Sequence, residues 1–201
     1  MSADLPGVVR LRDRREALTL RAILGAARGL FAERGYARTP IRLIAQEAGV
    51  VPQTIYAHFG SKAGVLIGLV DLLDDEAGIP DLIAASESVT DPAELLGTLA
   101  TISRQVRERC GDIVAMLTSG AAVDPDIAAT QAEAGRRHRL GVETVVDRIR
   151  ASGHPVDPRA ADIVTALLSA GVHDSLVADA GWSHDDYEAW LKRTLVTAVL
   201  G

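Results

Sequence analysis

The sequence has little from which to build covalent staples or aromatic cages. Its one cysteine, Cys110, excludes an internal disulfide and any cysteine-based zinc site, and it fits a reducing compartment. Aromatic residues make up 3% of the chain, so the interior must be packed from Leu, Ile, Val and Ala, a balance that favours helices. No apolar run approaches the ~18–20 residues of a membrane span. The basic N-terminal residues are followed by no apolar stretch of the secretory kind. A phosphate-binding glycine loop is missing, as is any Cys/His or Ser/His constellation with supporting context. His138, His154, His173 and His184 show no metal-ligand spacing and read as structural or exposed. These absences leave no support for an enzyme, a resident cofactor or a bound metal. The expectation is a soluble, cytoplasmic, non-enzymatic protein.

What the chain does contain is an uneven charge distribution. Its 201 residues are 48% hydrophobic and 24% charged, which suits one or two globular domains and excludes a disordered or collagen-like class. The net charge of −6 hides a basic head. Residues 1–62 hold ten Lys and Arg against five Asp and Glu, and the remainder holds eleven against twenty-two. A small positive head on an acidic body suggests that only the head approaches a polyanion; the acids of the body keep it soluble.

Helix starts are well marked. Thr39-Pro40, Asp91-Pro92, Asp124-Pro125 and Asp157-Pro158 each place a capping residue before a proline suited to the first helical position. Asp91 with Glu94, and Ser183 with Asp186, stand in capping-box register. Between these signals the apolar residues recur with a period near 3.6 and never alternate over a convincing stretch. Leu20, Ile23, Leu24, Ala27, Leu30 and Phe31 form one stripe. Tyr187, Trp190, Leu191, Leu195, Ala198 and Val199 form another. Pro125 to about Ser152 reads as one long helix, weakened by Gly135 and Gly141 and stopped by Gly153. The predicted fold is all-helical.

The most informative stretch is TPIRLIAQEAGVVPQTIYAHFGSK, residues 39–62. A short helix over 40–48 buries Ile41, Ile44, Ala45 and Ala48, and a second over 52–59 buries Ile55 and Phe59. Gly49 lies between them, where a tight turn needs a residue tolerant of positive φ. Ala45 lets the helices cross closely, and Ile55 plugs their junction. This spacing meets the steric demands of a helix-turn-helix. With Ile55 and Phe59 inward, Gln53, Thr54, Tyr56, Ala57 and His58 fall on the outer face. Most of these carry hydrogen-bonding groups suited to base edges and phosphates.

Residues 21–66 resemble the N-terminal domain of the TetR family of bacterial transcriptional regulators. The resemblance rests on Ile23-Leu24 through Ala26-Ala27 to Leu30-Phe31, then Arg34-Gly35-Tyr36, Thr39 and Ile44-Ala45. It continues through Ala48-Gly49-Val50 and Thr54-Ile55-Tyr56-x-His58-Phe59-x-Ser61-Lys62. Gly181-Trp182-Ser183 followed by Tyr187-Glu188-Ala189-Trp190-Leu191 resembles one actinobacterial branch of the family. The resemblance implies an N-terminal three-helix helix-turn-helix domain followed by a C-terminal helical ligand-binding and dimerisation domain. Residues 1–15 are then a basic arm, 16–62 the DNA-binding domain, and 63–201 the effector-binding and dimerisation domain. Arg10, Arg12, Arg14 and Arg15 of the arm follow a minor groove or serve only as an attractive, flexible tail.

The resemblance also implies roles. Gln53, Tyr56 and Ala57 face bases, with Tyr56 also placed to touch phosphate. Arg42 reaches guanine or phosphate. Thr39, Thr54, His58 and Lys62 match phosphate-binding positions. Two departures stand out: Ala63-Gly64 replaces an acid common after Ser-Lys in the family, and Pro52 with Ala57 leaves little side chain for direct readout. Gly64 and Gly68 either soften the start of the fourth helix or permit close packing there.

One short helix-turn-helix makes few contacts, so specificity on a near-palindromic double-stranded operator calls for a homodimer. The candidate interface is Ile163, Leu167 and Ala170 on one helix with Tyr187, Trp190, Leu191 and Leu195 on the last. A family member holds its effector over residues 65–155, where scarce aromatics suit an aliphatic pocket. Gln105, Met116, Thr118 and Gln131 are the candidate lining residues for an unidentified small molecule. The function implied is a ligand-responsive regulator, a repressor released from its operator. The alternative is a ligand-independent DNA-binding or architectural protein with the same head.

Overall fold

The computed structural model describes the backbone from Pro6 and the side chains from Asp13 onward. Among these residues the chain is helical and contains no strand. The elements are α1 (Pro6–Arg34), α2 (Ile41–Glu47), α3 (Pro52–Phe59), α4 (Lys62–Asp71), α5 (Leu73–Glu76) and α6 (Ile79–Ser86). Then come α7 (Pro92–Ala121), α8 (Pro125–Ala151), α9 (Ala160–Leu167), α10 (Ala170–Asp174), a π turn (Ser175–Asp179) and α11 (His184–Leu200). They cluster into two compact units: residues 1–72 with 112–131, and 73–111 with 132–201. No single described helix is long and apolar enough to cross a membrane.

Several caps follow the sequence. Asp91 Oδ1 accepts from the Ala93 amide at 2.8 Å, Asp124 Oδ1 from Asp126 at 3.1 Å, and Ser183 Oγ from Asp186 at 3.0 Å. Others differ. The N-cap of α2 is Pro40, because the Thr39 hydroxyl is turned inward. Asp157 caps only a preceding turn, accepting from Arg159 N at 2.7 Å, and α9 starts at Ala160. The single helix expected to carry Ile163, Leu167 and Ala170 is interrupted where Ser169 takes an extended backbone (ψ 155), and the chain resumes as α10 and the π turn. The basic segment read as a flexible arm is helical from Pro6, whose fixed φ suits a first helical position, while residues 1–5 lie outside the described residues.

The first unit is organised by α1. Its inner stripe, Ile23, Leu24, Ala27, Leu30 and Phe31, is buried together with Ile44 and Ala45 of α2, Ile55 of α3 and Val65, Leu66 and Leu69 of α4. Ile113, Met116 and Leu117 at the end of α7 and Ile127 of α8 are buried too. Gly120 marks how tightly α4 meets these ends. A Cβ there would lie 3.1 Å from Leu66 and 3.0 Å from Ile127. The second unit has its own core, in which Leu96 and Ala100 of α7, Val146 and Ile149 of α8, and Val164 of α9 surround Tyr187, Leu191 and Leu195 of α11.

Candidate nucleic-acid interface

The candidate surface is built by two short helices and a glycine. Gly49 takes φ 68, the left-handed conformation that reverses the chain after α2, and Val50 donates its amide to Ala45 O at 2.9 Å. Pro52 opens α3, where a missing amide hydrogen is harmless. Ile55 is fully buried and fixes the rotation of α3 about its axis. With that residue inward, Gln53, Tyr56, Ala57 and His58 are exposed and Thr54 is half-buried. Tyr56 is 53% exposed, a large aromatic ring standing in solvent. An exposed ring costs hydrophobic stabilisation unless something covers it in use. Arg42, in the first turn of α2, is also exposed.

Two expected phosphate contacts, Thr39 and Lys62, are used differently. Thr39 is completely buried, and its hydroxyl hydrogen-bonds Gly35 O at 2.9 Å and Leu30 O at 3.3 Å. A hydroxyl in that position ties the end of α1 to the start of α2 and cannot meet a ligand, which corrects the sequence expectation. Lys62 is half-buried and donates from Nζ to Tyr36 O at 2.9 Å and Ala37 O at 3.4 Å. Its ammonium also sits 4.1 Å from the centre of the Tyr36 ring. Burial lowers its pKa, an effect that the Asp124 carboxylate opposes. Lys62 is therefore a strut between α4 and the α1–α2 turn. The ring of His58 faces α1, with Nδ1 3.6 Å from Glu16 Oε1.

Glycines account for the close approach of α3 and α4. A Cβ on Gly64 would stand 1.9 Å from the carbonyl oxygen of Phe59, and one on Gly68 would stand 2.9 Å from the Phe59 ring and 3.2 Å from Leu24. Both positions serve close packing. In place of an acid in the first turn, Ser61 Oγ accepts from Gly64 N at 3.0 Å.

Two long-range polar ties hold this head to the residues 112–124 that return to it. Arg28 grips Asp112 with two hydrogen bonds of 2.6 and 2.8 Å, and this contact holds the carboxyl below its usual range. Tyr36, packed on Phe31, donates its hydroxyl to Asp124 Oδ2 at 2.7 Å. Burial and the neighbouring carboxylate raise the phenol well above its ordinary pKa, while the same bond lowers that of Asp124. Neither pair has a local signal in the sequence, since the partners lie 84 and 88 residues apart.

The other candidate residues scatter. Thr118 and Gln131 meet through a 3.2 Å hydrogen bond. Met116 is buried in the core of the first unit. Gln105 lies against Gly78, where its Oε1 would be 3.3 Å from an added Cβ. None of the four lines the open groove of about 760 Å³ found in the second unit. That groove runs between α6, α7 and α11, over Leu82, Val89, Ala93, Gly97 and Val196, with Arg193 at its edge. Of the candidate dimer residues, Ile163, Leu167, Ala170 and Trp190 are half-buried. Tyr187, Leu191 and Leu195 are fully buried within the chain's own core, so they present no surface to a second copy. His173 is buried, its ring edge-on to Tyr187 at 5.0 Å and stacked on His184 at 5.4 Å. No group of three or more metal-ligating side chains gathers among the described residues.

Comparison with known proteins places this geometry. Residues 23–69 match the model of bacterial regulatory proteins of the tetR family. Over 149 residues, 73% of the chain, the sequence is 30% identical to Rv0767c of Mycobacterium tuberculosis, an uncharacterized HTH-type transcriptional regulator, covering 65% of it. Over 96 residues, 47% of the chain, it is 36% identical to the HTH-type transcriptional regulator TtgR of Pseudomonas putida, covering 44% of that protein. The chain thus spans less than two thirds of the length of the curated relatives it matches. Among solved structures, the transcriptional regulator FadR of Bacillus subtilis in complex with stearoyl-CoA superposes with a TM-score of 0.72. That match covers 89% of this chain and 98% of the other at 18% identity, a likeness of fold.

Proposed function

We propose that the chain, whose residues 23–69 match the model of bacterial regulatory proteins of the tetR family, is a sequence-specific DNA-binding transcriptional regulator. The observation that carries this reading is the outward face of α3. Gln53, Tyr56 and Ala57 are exposed together on a helix whose rotation Ile55 locks and whose entry Gly49 sets. An α-helix presented in this way fits the major groove, where base edges offer a distinct donor and acceptor pattern. Arg42, Thr54 and His58 flank that face and supply phosphate contacts, with Arg42 also within reach of a guanine edge.

The head that would act in this way is larger than the segment 16–62, because α4 and residues 112–131 fold with it. The rest of the chain serves dimerisation and effector binding. A homodimer sets two α3 helices on successive major-groove faces of a near-palindromic site, and the half-buried Ile163, Leu167, Ala170 and Trp190 form its contact surface. Release of the operator by a small molecule follows if the effector binds one arrangement of the head more tightly than another. FadR was solved with an acyl-CoA, and the apolar groove between α6, α7 and α11 suits an aliphatic effector here.

Selection of fragments of the host genome on the immobilised protein tests the proposal. Recovery of one recurring near-palindromic sequence, bound by a dimer in sedimentation, is the expected result. Recovery of no preferred sequence, or tight operator binding by a monomer, overturns it.

A further inference from the structure

We propose that Asp112 and Asp124 are positioning residues for DNA recognition, two carboxylates that fix the angle at which α3 is presented. This rests on the reading of α3 as the base-reading helix. The two ties engage the head at separate points. Arg28 lies within α1, and Tyr36 lies eight residues further on, in the turn that leads to α2. On top of the apolar packing of Ile113, Met116 and Leu117, a single tie fixes one point of the head, whereas two ties also set its orientation.

The second tie reaches the reading helix by a short route. Asp124 Oδ2 accepts from the Tyr36 hydroxyl, the Tyr36 ring and carbonyl hold the Lys62 ammonium, and Lys62 is the first residue of α4. Three residues earlier, α3 ends at Phe59, wedged against Gly64 and Gly68. The other oxygen of the same carboxylate caps α8 through the Asp126 amide. Asp124 is therefore shared between the start of α8 and the placement of α3. A displacement of that helix start which draws the carboxylate away from Tyr36 loosens Lys62 as well. None of these groups reaches the exposed face of α3, so their effect on binding is through geometry alone.

The experiment uses the full-length protein and a duplex taken from the genomic fragments that the wild type retains, with an unrelated duplex as reference. Tyr36→Phe removes one hydroxyl and keeps the ring under Lys62. Asp124→Ser keeps a helix cap but is too short to reach Tyr36. Each variant is expected to lower the ratio of specific to unrelated affinity about tenfold, which corresponds to about 1.4 kcal/mol. The double variant should lose no more than either single one, because both delete the same bond. The slope of affinity against salt should stay at the wild-type value, since no phosphate contact is removed. Asp112→Ala should act similarly and multiply with Tyr36→Phe, because its tie is separate.

Unchanged specificity in Tyr36→Phe, with only the melting temperature lowered, overturns the proposal and leaves DNA binding intact. Should Tyr36→Phe fail to fold by circular dichroism, Asp124→Ser decides by the same measurements. A wild type that retains no duplex at all overturns the DNA-binding reading, and this inference with it.

Discussion

Each of the two compact units is held together internally, and by different means. In the first, short helices of seven to ten residues are pinned by individual polar ties and by glycines that admit close backbone approach. In the second, long helices share one continuous apolar core, and α11 contributes Tyr187, Leu191, Leu195 and Val199 at helical spacing. Its polar contacts form a network at the surface of α11, where Glu188 accepts from Thr101 at 2.6 Å, pairs with Lys192 at 2.7 Å and meets Arg104 at 3.4 Å. The difference teaches that helices too short to be stable alone need specific bonds in addition to the apolar core that α1 provides. A body of long helices depends on volume.

The largest expected effect is in the body. Tyr187→Ala removes a fully buried ring and should cost about 3–5 kcal/mol, read as a drop in the midpoint of denaturant unfolding. A loss below about 1 kcal/mol would mean that the second unit does not rely on that core. In the head, Gly64→Ala should cost about 3 kcal/mol, because the clash is with a backbone carbonyl that cannot turn aside. Loss of DNA binding together with α3 and α4 amide protection is the expected sign, and wild-type exchange rates would refute it. Tyr56→Ala should spare stability and weaken operator binding by about 1–3 kcal/mol. A fall in melting temperature would instead make that ring a packing element.

Lys62→Ala should weaken operator binding with an unchanged salt slope, since its ammonium serves the fold. A slope reduced by about one unit would restore it to the phosphate contacts. The smallest effect concerns acid. Asp112 and Asp124 titrate below the ordinary value of 3.8 in the fold. Their stabilisation is therefore complete above that value and is lost as pH falls through their lowered pKa values. Arg28→Ala should lower stability at neutral pH and flatten the acid limb, which pH-dependent thermal unfolding measures. An acid limb of wild-type steepness would show that the tie to Asp112 contributes nothing.

The helix-turn-helix was legible because its determinants are neighbours: Ala45, Gly49 and Ile55 lie within eleven residues, and each has one steric job. The long span of α8 was equally plain, because nothing between Pro125 and Gly153 stops a helix. The roles of Thr39 and Lys62 were not. A hydroxyl and an ammonium look alike in sequence whether they face a phosphate or a carbonyl, and only the folded turn at Gly35–Ala37 decides. The burial of Tyr187, Leu191 and Leu195 inside the chain was hidden for a related reason. Periodicity says that Tyr187, Leu191 and Leu195 share a face, and it says nothing of whether that face meets the same chain or another. The ties to Asp112 and Asp124 were invisible because they close loops of more than eighty residues.

The missing side chains at Gly64 and Gly68 have a mechanical consequence. With the Phe59 backbone and ring seated directly on α4, no spare volume remains there to absorb a displacement. The two helices therefore meet backbone to backbone, with Tyr56 only three residues upstream of that contact. A bulkier residue at either glycine would act as a shim, wedging α3 away from α4 and re-aiming the exposed face that carries Gln53 and Tyr56.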